Sequence, residues 1–110
     1  MDLVSISQGA LKLVEDWIKN HKNDKEKEKQ EKQINCYKKD LKEVIYKTDH
    51  DVPRADSTEL GHIRDFVVEK QGNLKKRTLI PPNMRDEGNA VYSASLAKID
   101  ACRHKFLKVA

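Results

Sequence analysis

The chain is short of the residues that build most recognisable chemistries. Its 110 residues include two cysteines, three prolines and four glycines, and only 5% are aromatic. Cys36 and Cys102 stand far apart without the spacing of zinc ligands. Two such thiols, with no basic n-region or cleavage site after Met1, point to reduced cysteines in a cytoplasmic protein rather than a disulfide framework. Scarce glycine and proline leave little turn punctuation, which disfavours a multi-stranded β fold. No apolar run approaches the roughly 20 residues of a membrane-spanning helix. Catalytic signatures are missing too: there is no Gly-rich phosphate loop, nucleophile elbow, paired CxxC or HExxH. Cys102 and His104, two apart on a helix, point to different sides and form no dyad. Asp49, His50 and Asp51 are adjacent, and three neighbours rarely converge on one ion. The expectation is a protein that is not an enzyme and carries no cofactor or metal.

What the chain has in excess is charge. Charged residues are 36% of the total against 37% apolar. An average domain carries about 25% charged residues. The thin apolar content supports one small domain, residues 1–110, with a modest core. The net charge of +4 is unevenly placed: residues 1–33 are balanced at seven against seven, whereas residues 73–110 hold eight basic groups and three acidic ones.

Four segments read as helices, giving an all-α, four-helix bundle-like fold with a long charged N-terminal helical segment. Residues 2–20 carry an apolar stripe through Leu3, Ala10, Val14 and Trp17, widened by Leu11 and Ile18. Residues 21–33 hold no apolar side chain, but good helix formers fill the stretch from Lys25, so the second helix spans 25–48. Its stripe is Ile34, Tyr37, Leu41 and Val44, with Ile45 beside it, a heptad-like series suggestive of a short coiled coil. Whether residues 3–47 form one helix is open at this level. An unbroken one would be about 68 Å long, and Asn20, Asn23 and Asp24 offer a break. Pro53 should keep Val52 out of the α region and close the second helix.

Asp56 followed by Glu59 predicts a capped start to a third helix over 57–71, ended by Gly72 in a left-handed C-terminal position. Residues 73–89 then read as one long irregular loop pinned by Leu79 and Ile80 ahead of Pro81 and Pro82, long enough to be functional or mobile. Asn89 would cap a last helix over 90–108, striped by Tyr92, Leu96, Ile99 and Phe106.

Three functional readings follow. The first is an interaction or adaptor protein that packs amphipathic helices against another protein or its own copy as a homo-oligomer, through Trp17, Ile34, Tyr37, Leu41 and Val44. The same stripe could equally be ordinary core. The alternative is a nucleic-acid-binding accessory protein using the basic last third: Lys75, Lys76, Arg77, Arg85, Arg103, Lys105 and Lys108. The third is peripheral membrane binding through the N-terminal helix, which lacks the basic polar face usual for that role.

Overall fold

A computed structural model describes residues 3–109, with side chains to Phe106. Four helices carry the fold: α1 (Leu3–Asn20), α2 (Glu28–Tyr46), α3 (Ser57–Lys76) and α4 (Pro82–Val109). No strand occurs among the described residues. α4 is the organising element, because it packs against all three of the others.

The first long segment breaks where the sequence offered a break. His21 Nδ1 lies 2.9 Å from the Trp17 carbonyl, and its ring stacks on the indole at 4.5 Å. Asn23 then takes a left-handed conformation with φ 71°, which asparagine tolerates better than most side chains. The Asp24 carboxylate accepts from the Glu26 amide at 3.1 Å and opens a 3-10 turn, Lys25–Lys27, that leads into α2. The chain therefore folds back as a hairpin. A continuous helix would have outrun the whole molecule, whose longest dimension is 56 Å.

α2 keeps its stripe: Ile34, Tyr37, Leu41 and Val44 are fully buried. Its polar N-terminal turns also have a structural task. Gln30 Nε2 donates to the Leu79 carbonyl and the Leu79 amide donates to Gln33 Oε1, both at 2.9 Å. Beyond Tyr46 the helix widens into a π-helical turn, Lys47–Asp51, and then a 3-10 turn, Val52–Arg54. The buried Thr48 hydroxyl donates to the Val44 carbonyl at 2.7 Å, so the Ser95 hydroxyl, 2.6 Å away, must donate to it. This bond fastens the π turn to α4. Val52 stays in the α region (φ −57°, ψ −45°) despite Pro53. Burial of its side chain at 2% exposure offsets the local preference that should have ended the helical path earlier.

α3 starts as expected, with the Glu59 amide donating to Asp56 Oδ1 at 2.8 Å. Its end is different. Gly72 does not terminate it, and no glycine among the described residues has a positive φ. The helix continues to Lys76, because the next turn carries Leu74, which is fully buried. Apolar burial there is worth about 1.5–3 kcal/mol, more than the roughly 1 kcal/mol that glycine costs a helix.

The expected 73–89 loop is thus absent. Only residues 77–81 connect α3 to α4, and α4 begins eight residues earlier than expected. Pro82 occupies its first position, where a missing N–H costs nothing, and the Arg85 amide bonds to the Pro81 carbonyl at 3.0 Å. Asn89 lies inside α4 rather than capping it. The long reach of α4 gives an elongated body, 56 × 24 × 19 Å.

Candidate functional site

The residues proposed to bind a partner divide in two. Ile34, Tyr37, Leu41 and Val44 face inward, at 0% exposure, so in this fold the stripe is core and offers no docking face. Trp17 is half-buried at the end of α1 and stacked on His21. Its helix turns Ser7, Ala10 and Val14 into the core, which also occupies the face that membrane binding would use.

The basic set does not form one patch. Arg77 is spent on the buried carboxylate of Asp40, at 2.8 Å, with Lys70 at 3.7 Å on its other oxygen. Lys70 and Lys47 both lie over the half-buried Phe66 ring, at 4.9 and 5.0 Å. Arg85 closes the C-terminus of α3: its Nη1 donates to the Leu74 carbonyl at 2.9 Å and its Nε to the Ile80 carbonyl at 3.1 Å. Lys75 and Lys76 are exposed at the end of α3, beside the start of α4. Arg103 and Lys105 are exposed near the far end of α4. About 20 residues of helix, roughly 30 Å, separate the two groups. Lys108 lies outside the described side chains. The six of those residues whose side chains are described do not form one continuous surface.

The centre of the bundle holds two phenols. Tyr37 donates to the Met84 carbonyl at 3.3 Å, whereas Tyr92 Oη is buried with no hydrogen-bond partner among the described residues. Burial pushes both phenols well above the usual range. The Glu87 carboxylate adds to the effect at Tyr37, and at Tyr92 the neighbouring Tyr37 and Asp40 add to it while Arg77 opposes it. Such groups stay neutral and act as core. Among the described residues no cluster of three His, Cys, Asp or Glu side chains could hold a metal ion, and no helix is long and apolar enough to cross a membrane.

Among the described residues, two depressions have a strongly apolar floor. One lies between α1 and α2, about 450 Å³, over Leu11, Ile45 and the exposed Tyr46. Its rim alternates in sign (Lys42, Asp49), and His50 is already engaged, stacked on Tyr46 and 2.8 Å from Asp51. The second lies at the other end of α4's reach. It is a cleft of about 500 Å³ between the 52–55 connector and α4, lined by Val52, Pro53, Ala55, Lys98, Cys102, Lys105 and Phe106.

This cleft is an outgrowth of the core. The buried stripe of α4 steps through Gly88, Val91, Ser95 and Ile99 at three- and four-residue intervals, and Cys102 and Phe106 continue it in register. Exposure rises along the continuation: Ile99 is fully buried, Cys102 partly so, and Phe106 is 44% exposed. Among the described residues α4 has 28 and α1 has 18, and the α1–α2 turn lies toward the start of α4, because Gln30 and Gln33 hold Leu79 just before Pro81. No described α1 side chain lines the cleft. On the other side of Phe106 a second hollow, lined by Ser57, Thr58, Asp100, Arg103 and His104, abuts the α3 N-terminus that Asp56 already caps. Asp100 there is paired with Arg64 at 3.0 Å.

Of the residues lining the cleft, only Lys105 stands out in the sequence as a candidate site residue, and for a different ligand; Phe106 reads there as part of the last helix's stripe. The signal for the rest is that stripe running on from Ile99 through Cys102 to Phe106. Comparison with protein-family models, curated proteins and solved structures gave no match to this chain, and the cleft is interpreted from its own chemistry.

Proposed function

We propose that this chain is a small helical interaction module, an adaptor that engages another protein or a second copy of itself through the open end of α4. The observation that carries the reading is the core stripe that runs on past its own bundle, from buried Ile99 to exposed Phe106. A large aromatic in register with a core, yet 44% exposed, is the kind of anchor that buried interfaces centre on. The mode is helix packing, and the four residues of the α2 stripe have no part in it.

The test combines mass and proximity. A photoreactive phenylalanine analogue is placed at position 106 and, as a control, at the exposed Cys36 position. Light scattering across a dilution series reports self-association. The expected result is a discrete cross-linked product from position 106, either of doubled mass or with one partner, and none from position 36. A strictly monomeric chain that gives no product from position 106 above the control would sink the reading.

A further inference from the structure

We infer that the occupant of the α4 cleft is an acidic amphipathic helix of a partner protein, laid along α4 between Lys98 and Lys105. The inference rests on the proposed role of this surface in binding and adds the chemistry of what binds. Two features support it. The first is polarity: the floor is apolar, built from Val52, Ala55, Cys102 and Phe106, and an entering side chain must be apolar to repay desolvation.

The second feature is charge. Lys98 and Lys105 rim the cleft, both exposed, and neither has an ion pair among the described residues. They lie seven residues apart on one helix face, about 10 Å along the axis. A partner helix presents carboxylates at the same interval when Asp or Glu recurs at i and i+7, with Leu or Phe on the turn between them facing the floor. Arg103 and His104 lie on the far side of Phe106; the carboxylates around the cleft are each engaged, Asp100 by Arg64, Asp51 by His50 and Asp56 by the Glu59 amide. A basic segment would be repelled here. The α1–α2 groove, with its alternating rim charges, makes no such selection.

The experiment is a selection from a displayed library of helical peptides randomised on one face, against the full chain and against the Lys98→Glu/Lys105→Glu double variant. Circular dichroism on the variant checks that these two surface changes leave the fold intact. The expected outcome is enrichment of peptides with acidic residues seven apart around a Leu or Phe, with affinity lost by about tenfold or more in the double variant. Peptides that regain binding to the variant when their acidic pair is changed to lysine would confirm the pairing. If enriched peptides bind at position 106 but lack the acidic pair, or bind the variant equally, the acidic-helix inference fails while the interaction role stands. If no peptide enriches and the chain stays monomeric, both fail. Self-association through this cleft would also overturn the inference, with a second copy as the occupant.

Discussion

Gly88 is the most tightly packed of the four glycines. A Cβ built on it would lie 2.6 Å from the Tyr37 hydroxyl oxygen and 3.0 Å from a Leu74 methyl, so α2 and α3 approach α4 over a bare backbone. Gly72 has no heavy atom within 4 Å of the same position. The same substitution therefore has opposite signs at the two sites. Gly88→Ala is expected to destabilise by about 1–3 kcal/mol through overpacking, and Gly72→Ala to stabilise by about 0.5–1 kcal/mol by removing helix-interior entropy. Urea denaturation of both variants checks the pair, and a neutral Gly88→Ala would mean that Tyr37 moves freely. The phenols supply a second test at this scale. Their pKa values in the folded chain lie above the ordinary 10.0, so ionisation favours the unfolded state. Their contribution to stability is complete below the unfolded value and is lost as pH rises through and beyond it. Urea midpoints should fall steadily between about pH 9 and pH 11, with tyrosinate absorbance from these two residues appearing only as the helical signal disappears. Ionisation of all three tyrosines with the helices intact would contradict the buried placement.

Among the elements, the α3–α4 junction separates a local reading of the chain from the folded one most clearly. Gly72, Asn73, the basic triplet and two prolines are each a valid loop signal, yet both flanking helices run into this region. Arg85 explains how the junction is held, since it donates to the Leu74 carbonyl at the end of α3, which the Arg77 amide reaches only at 3.3 Å, and to the Ile80 carbonyl of the connector. Gln30 and Gln33 hold the other edge through the backbone of Leu79. Arg85→Met, which keeps the aliphatic stem, is expected to cost about 1–3 kcal/mol and to speed amide exchange at the end of α3 while leaving α1 protected. Unchanged exchange there would show that water replaces the guanidinium at no cost. The start of α3 was legible, because Asp56 and Glu59 act over three residues. Its end was not, because the deciding contact is the burial of Leu74 against α4.

On the scale of the whole molecule, two features stand out: an elongated body and an α4 stripe that runs from buried Ile99 to exposed Phe106. Local patterning decided the helical class and the apolar face of each helix, and it offered the break at Asn23 and Asp24 without deciding it. Those properties depend on periodicity and capping within a few residues, which any reader of the sequence can trace. The stripe at Ile34, Tyr37, Leu41 and Val44 was legible as apolar, but the sequence alone could not say whether it faced a partner or the chain's own core. That choice, the survival of helix through Gly72 and Val52, and the opening beside Phe106 were decided only in three dimensions. Each depends on which helix lies opposite and how far it extends. Burial against a distant segment is worth more than a local turn preference, and a sequence window does not contain that distant segment.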